Sequence, residues 1–249
     1  MRITSVDADV PRVYHSDMTK AEILVCLKEH QDPRGIAHWT KREEERSGLK
    51  SYGIGLTRLR KLAKQIGRDA KLARQLWKAK IYEMRILSLL IDGPKTLTMA
   101  QAEAQVDDLA GGYLAHVFSS CDATLAKTPF VVELADRWVK SRDVVRERCG
   151  DGLLYEISKD KKKTAPDESY FLALVDRIDT HHAKQSIPTL MSMAGALMGI
   201  GKRTKTLNEA ALRAAKAIGS IDFDPDGRCD PFDVVKHLTA PHTMEKLGL

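Results

Sequence analysis

The stretch that decides the fold runs from Tyr52 to Ile91 and reads YGIGLTRLRKLAKQIGRDAKLARQLWKAKIYEMRILSLLI. Its first part places apolar residues at the i, i+3, i+4, i+7 spacing of one buried helix face. These residues are Leu59, Leu62, Ala63 and Ile66. A second short helix is predicted after Gly67, and a third over Ile81–Ile91, which is apolar on most of its circumference. Asp92-Gly93-Pro94 follows as a stop signal, so three short consecutive helices are expected.

The same pattern continues along the chain. Further helices are predicted over Thr98–Leu109, Tyr113–Ala126, Phe130–Val139, Arg142–Ile157, Tyr170–His181, Ile187–Ile200, Leu207–Ile218 and Asp233–Leu238. Alternating runs typical of strands are missing, so no sheet is expected. Residues 159–169 are polar and contain Pro166, which predicts a flexible loop. Short helices in consecutive pairs predict an all-α fold, a curved α-solenoid that forms one domain over residues 1–249.

Composition narrows the function classes. The chain has 249 residues and no apolar run near 18 residues, so no membrane span is predicted. The first residues show no apolar signal core, and we expect a cytoplasmic monomer. The four cysteines lie far apart without a CxxC pair, which favours reduced thiols over a zinc site or disulfides. No GxSxG, HExxH or glycine-rich phosphate loop occurs, so no metal or organic cofactor is expected.

Basic residues are unevenly distributed. Net charge is +6, and the segment from Arg58 to Lys80 holds nine Lys or Arg against one acid, Asp69. A solvated helix face would explain one such segment. Two further basic groups favour a surface that binds the phosphates of double-stranded DNA, because phosphate binding needs several spaced cations. These groups are Arg142, Arg146 and Arg148, then Lys202, Arg203 and Lys205.

Several short motifs carry a resemblance to a known family. In the first block they are Tyr52-Gly53-Ile54, Leu59-Arg60-x-Leu62-Ala63-Lys64, Leu76-Trp77 and Tyr82-Glu83-x-Arg85. Later blocks are Thr128-Pro129, Trp138, Ser141, Arg148-Cys149-Gly150, Ile200-Gly201-Lys202-Arg203 and Cys229-Asp230-Pro231-Phe232-Asp233. From about Tyr52 onward the chain resembles the DNA alkylation repair family, bacterial DNA glycosylases built of HEAT-like repeats. The resemblance implies HEAT-like helix pairs with a basic concave face. DNA contacts are then expected at Arg58, Arg60, Lys64, Lys202 and Arg203.

The resemblance also implies a reaction, hydrolysis of the N-glycosidic bond of alkylated purines without full base flipping and without a cofactor. A carboxylate near the sugar opposes the positive charge that develops there. Arg148 matches the family's phosphate-clamping arginine without a gap. An ungapped count puts the carboxylate near Leu114, where no acid exists. Phe118 and Asp122 reproduce the family's aromatic-x-x-x-Asp spacing, which stacks both side chains on one helix face. In the alternative, Asp122 is a surface acid and Phe118 belongs to the core.

Two observations favour other interpretations. The family's second cleft aromatic falls at Gly195, so the lesion pocket would be wider or different. The alternative function is therefore a non-catalytic HEAT-like scaffold that binds DNA or protein. Asp222-x-Asp224-x-Asp226-Gly227, with Asp230 and Asp233, matches a calcium-loop pattern. Against calcium, Pro225 is unusual in such a loop and Asp233 replaces the usual glutamate.

Two structural roles are also expected. Glu83 is expected to hydrogen-bond a neighbouring helix end, and the Lys41–Arg46 run is expected to form a solvated helix.

Overall fold

The computed structural model describes residues 18–42, 48–162, 165–223 and 229–249, which form helices joined by turns and loops. The first seven helices are α1 (Lys20–Glu29), α2 (Pro33–Arg42), α3 (Leu56–Ile66), α4 (Ala70–Trp77), α5 (Tyr82–Ile91), α6 (Met99–Asp107) and α7 (Gly112–Ser119). The next seven are α8 (Val131–Trp138), α9 (Val144–Lys159), α10 (Glu168–His181), α11 (Ile187–Ile200), α12 (Lys205–Ile218), α13 (Val234–Leu238) and α14 (Pro241–Leu247). Within the described ranges no strand forms and two isolated β-bridges occur, so the all-α prediction is confirmed.

Side-chain caps and buried stripes explain where the helices form. Asp69 accepts a hydrogen bond from Leu72 N at the start of α4, and Asp143 does the same for Arg146 N at the start of α9. Such caps satisfy backbone donors that have no partner within the helix. The apolar stripe predicted for α3 is buried in full. Helix α3 therefore turns one face inward and presents its basic residues to solvent.

The helices alternate between two layers. In the inner layer α3 packs on α5, α5 on α7, α7 on α9, α9 on α11 and α11 on α13. Helices α4, α8 and α12 back this layer, through contacts with α5, α9 and α11 respectively. A chain of helix pairs that mainly contact their neighbours is an α-solenoid. The large apolar side chains, among them Phe118 and Trp138, lie between the layers. The inner layer is consequently free to form a continuous binding surface.

A buried ion pair joins two successive pairs of this solenoid. Asp151 of α9 is fully buried, and its Oδ1 accepts a hydrogen bond of 2.9 Å from Nη1 of Arg177 in α10. Arg177 also contacts Glu147, one helical turn before Asp151. Burial raises the pKa of Asp151 to about 6, against the lowering effect of Arg177. The pair fixes α10 against α9 and thereby fixes the orientation of the helix that carries Arg148.

Candidate nucleic-acid interface

A cleft of about 1000 Å³ runs along the inner layer. Its walls come from α2, the segment 51–56 and the inner helices α3, α5, α7, α9 and α11. The cations that line it are Arg60, Arg148 and Lys159. The acids are Glu83, Asp122 and Glu156, and the aromatic residues are Trp39, Tyr82, Tyr113, Tyr155, Phe223 and Phe232. Three cations, one on α3 and two on α9, therefore face one space that aromatic rings also line.

Asp122 lies at the edge of this cleft, paired with Arg60. Its Oδ2 is 3.1 Å from Nη2 of Arg60, and the two side chains are 67% and 41% exposed. The prediction that Asp122 stands one helical turn after Phe118 is wrong, because α7 ends at Ser119. Cys121 and Asp122 follow with φ of 57° and 69°, in the left-handed region that ends a right-handed helix.

Phe118 is in the core, not in the cleft. It has no exposed surface and stacks between Trp138, with a centroid distance of 5.8 Å, and Trp77, at 6.3 Å. An aromatic cluster of this kind stabilises the contact between the layers. The structure thus differs from the prediction that Phe118 faces a lesion and agrees with the core alternative.

Arg148 lies in the cleft wall on α9, and its role as the phosphate-clamping arginine stays a prediction. Its Nη1 comes within 3.8 Å of the position that a Cβ on Gly111 would take, directly before α7. The same charge reaches His116 of α7, where it adds to burial in lowering the pKa of the imidazole. Arg148 thus stands between α9 and α7, at the middle of the inner layer.

The remaining predicted contacts are spread over different surfaces. Arg58 and Lys64 are exposed on α3 but do not line the cleft, and Lys64 lies one turn beyond Arg60. Lys202 lies past the end of α11, outside the cleft, where burial and the nearby Lys246 lower its pKa.

Arg203 binds the C-terminal end of α9. Its Nη1 donates to the carbonyl oxygens of Ser158 and Asp160, the latter at 2.7 Å. Its guanidinium also stacks 4.3 Å from the ring centroid of Phe171. The last carbonyls of α9 need donors, and Arg203 supplies them. This placement differs from the predicted role in binding DNA.

Comparison with known proteins decides the family. The profile of the family described as DNA alkylation repair enzyme matches residues 24–218. This chain belongs to that family. A solved structure that is 17% identical, with a TM-score of 0.78, covers 93% of this chain and is itself covered to 97%. It is described as a new family of proteins related to the HEAT-like repeat DNA glycosylases with affinity for branched DNA structures. No curated protein matches the chain.

Some cleft residues of this DNA alkylation repair family member escaped the sequence analysis. Tyr113 lines the cleft and is 47% exposed. Its ring centroid lies 5.5 Å from that of His116. Helical periodicity alone does not say which polar or aromatic residues face a cleft, so neither stood out in the sequence. Glu83 was expected to bind a helix end. Its Oε1 does accept from Ser51 Oγ and from the backbone N–H groups of Tyr52 and Ile54, just before α3.

Gly195 opens the cleft of this family member on the side of α11. It lines the cleft, and a Cβ built on it would meet nothing within 4 Å. No ring stands at the position where the resemblance implied a second aromatic residue. The space beside Gly195 therefore enlarges the cleft.

Several predictions fall partly outside the described residues. The acidic calcium-loop pattern includes residues 224–228, and most of the Lys41–Arg46 run also lies beyond the described ranges. Among the described residues, no group of three or more His, Cys, Asp or Glu could hold a metal ion. No helix in these ranges is long and apolar enough to cross a membrane.

Proposed function

We propose that this member of the DNA alkylation repair enzyme family binds DNA in its cleft, with the sugar–phosphate backbone against Arg60, Arg148 and Lys159. The observation that carries the proposal is that these three cations, one from α3 and two from α9, line one cleft of about 1000 Å³. Guanidinium groups bind phosphate oxygens through paired, charge-assisted hydrogen bonds. The description of the solved neighbour, which names affinity for branched DNA structures, supports DNA as the ligand class.

The rigid position of Arg148 makes it the strongest single contact in this proposal. Helix α9 is fixed by the Asp151–Arg177 pair and packs on both α7 and α11. A cation held in place before binding loses less conformational entropy than a flexible surface lysine. Arg60 contributes differently, because a phosphate must compete with Asp122 for its guanidinium.

Fluorescence anisotropy with a labelled duplex tests the proposal. We expect Arg148→Ala to weaken binding by at least about tenfold, the loss typical of a charge-assisted hydrogen bond. The matched control is Arg137→Ala, which removes an exposed arginine of α8 that pairs with Glu133 and Glu103 and lies outside the cleft. Equal losses in both variants, or no binding by the native chain, would contradict the proposal.

A second candidate function is hydrolysis of the N-glycosidic bond of alkylated purines. The observation that favours it is the exposed Asp122 carboxylate at the cleft, where it could oppose positive charge on the sugar. The aromatic support is reduced, since Phe118 is buried and Gly195 carries no ring, which leaves Tyr113 as the exposed aromatic residue of α7. DNA binding without excision is therefore the better supported function.

Release of alkylated purine from methylated duplex DNA separates the two functions. If the native chain releases alkylated purine, Asp122→Asn should abolish that release while duplex binding is retained. Release at the native rate by Asp122→Asn would move the catalytic carboxylate elsewhere. Absence of release by the native chain, with binding intact, would leave DNA binding as the function.

A further inference from the structure

A thiol and an imidazole meet in the cleft wall, at the turn that ends α7. Sγ of Cys121 lies 3.1 Å from Nε2 of His116, and both residues line the cleft. Cys26 and Cys149 are buried. Cys229 is exposed but is not among the residues that line the cleft. Cys121 is consequently the cysteine that a ligand in the cleft can reach.

Ser120 selects the ring nitrogen that faces this thiol. Its hydroxyl lies 2.6 Å from the backbone carbonyl oxygen of His116, to which it donates its single proton. The hydroxyl oxygen then accepts from Nδ1 of His116, at 3.3 Å. With the ring proton on Nδ1, Nε2 is an acceptor directed at the Cys121 thiol.

At rest the proton stays on the sulfur, and it passes to the imidazole only as the sulfur forms its bond to an electrophile. Burial, aided by the charge of Arg148 on α9, lowers the pKa of His116. Burial raises the pKa of Cys121, although Arg60 on α3 opposes this and Glu156 on α9 adds to it. Near neutral pH the pair is thus a thiol beside a neutral imidazole. Such an imidazole can act as the general base when an electrophile reaches the sulfur.

Neighbouring cations hold the turn. Nη2 of Arg60 donates to the carbonyl oxygen of Cys121 at 3.1 Å, and Nζ of Lys127 donates to that of Asp122, also at 3.1 Å. These contacts fix two consecutive residues in the left-handed region. The Cys121 sulfur is thereby kept against His116 and next to a guanidinium.

A separate observation indicates that the cleft takes a ligand with hydrogen-bond donors. Glu83 lines the cleft and is fully buried, yet its Oε2 has no hydrogen-bond partner among the described residues. Buried carboxylate oxygens are normally satisfied. An amino group on a nucleobase is one donor that would satisfy this oxygen.

We propose that Cys121 accepts the alkyl group of an alkylated DNA phosphate, a phosphotriester, bound in the cleft. The proposal rests on the proposed DNA-binding function. Sulfur forms a bond to the alkyl carbon, the bond from that carbon to the phosphate oxygen breaks, and its electron pair stays on the oxygen. The thiol proton passes to Nε2 of His116. The products are S-alkylcysteine and an ordinary phosphodiester, and each chain reacts once.

The charges around the thiol favour a phosphate over an alkylated base. A phosphotriester is neutral, and the phosphodiester that leaves is an anion. Its new charge develops next to Arg60, which is bonded to the Cys121 backbone, and near Arg148. Cations placed where negative charge develops stabilise the transition state.

The experiment incubates the full chain with a duplex that carries one methyl phosphotriester and locates the methyl group by peptide mass spectrometry. We expect one methyl group per chain, on Cys121, with Cys229 unmodified as an internal control. Cys121→Ser should abolish transfer, and Cys229→Ser should leave its rate unchanged. His116→Ala should slow transfer by about 100-fold or more, and added imidazole should restore part of the rate, which a purely structural role would not allow.

Duplex binding, measured in the same samples, separates this inference from the proposed function. Intact binding without transfer, or equal methylation of Cys121 and Cys229, would overturn the inference alone. Loss of binding to the unmodified duplex would overturn the proposed function. A second duplex carries its methyl group on a guanine oxygen, and transfer from that duplex only would overturn the assignment to phosphate.

Discussion

At the scale of single residues, Arg60 divides one guanidinium between two partners. It bonds the carbonyl oxygen of Cys121 and pairs with the carboxylate of Asp122, on a surface that water reaches. Exposed ion pairs of this kind are weak, so a phosphate can displace the carboxylate. Asp122 therefore competes with DNA for the cation that DNA needs.

Replacing Asp122 by Asn should tighten duplex binding. The change removes one negative charge from the cleft and releases Arg60 from its ion pair, worth ~0.5–1 kcal/mol or roughly 2- to 5-fold in affinity. Anisotropy titrations of Asp122→Asn and of Glu133→Gln make the comparison, because Glu133 is an equally exposed acid on α8 outside the cleft. Weaker binding by Asp122→Asn would show that the carboxylate orients Arg60 rather than occupying it.

The sequence could identify some cleft residues and not others, for local reasons. Arg148 could be found because its motif fixes its position on α9. Phe118 could not be assigned to one side, because a lone aromatic on a helix with several apolar residues fits the core and the cleft equally well. His116 and Cys121 face each other because α7 ends early, at Ser119. The turn-favouring residues there, Ser120 and Asp122, are a weaker stop signal than Gly or Pro.

At the scale of helices, close packing depends on a few small residues. A Cβ on Gly150 of α9 would lie 2.8 Å from the backbone nitrogen of Val139, after the last residue of α8. Backbone cannot move aside as a side chain can, so α8 and α9 would separate. Gly195 of α11 faces open space instead.

Alanine at these two glycines should have opposite effects. Gly150→Ala should lower the free energy of unfolding by about 1–3 kcal/mol through overpacking. Gly195→Ala should raise it by about 0.5–1 kcal/mol, because alanine favours the helix and meets no neighbour. Urea denaturation followed by circular dichroism measures both. A stabilising Gly150→Ala would mean that the contact between α8 and α9 is looser than the structure has it.

The buried Asp151 predicts a pH dependence of stability. Its folded-state pKa of about 6 lies above the value of about 3.9 for an unfolded aspartate. The folded chain therefore binds this proton more tightly, and the stability it adds is complete below about pH 4 and lost as the pH rises through about 6. The free energy of unfolding that is lost over this pH range is about 3 kcal/mol.

Asp151→Asn should remove this component, since an amide does not titrate in this range. Urea unfolding between pH 4 and pH 7.5 should give a flatter profile for Asp151→Asn than for the native chain. Glu133→Gln, an exposed change, should leave the profile as it is. Parallel profiles for the native chain and Asp151→Asn would mean that Arg177 keeps Asp151 ionised throughout.

The helix pattern itself was predictable, and its main error has a physical cause. The apolar stripe of α3 and the stop after Ile91 agree with the structure because both are local in sequence. Helix α7 was predicted to continue to Ala126. It ends at Ser119, and Arg60, a residue of α3, donates to the carbonyl oxygen of Cys121 in the left-handed turn that follows. Local periodicity contains no information on such a distant contact.

At the scale of the whole molecule, DNA binding should be strongly salt-dependent. If Arg60, Arg148 and Lys159 each neutralise one phosphate, the slope of log K against log salt is about −2.7. Between 50 and 200 mM salt the affinity would then fall by about 40-fold. Anisotropy titrations at several salt concentrations measure this slope. A slope near zero would exclude a binding mode based on phosphate contacts, whatever the affinity at one salt concentration.

The alternation of inner and outer helices also has an evolutionary consequence. Every helical residue in the wall of the cleft beyond α2 belongs to α3, α5, α7, α9 or α11, while the intervening helices back them. Selection for ligand choice and selection for fold maintenance thus act on alternate segments of one gene. Orthologues that have changed substrate should differ mainly in the helices that line the cleft. Their sequence divergence should therefore be high in one helix and low in the next.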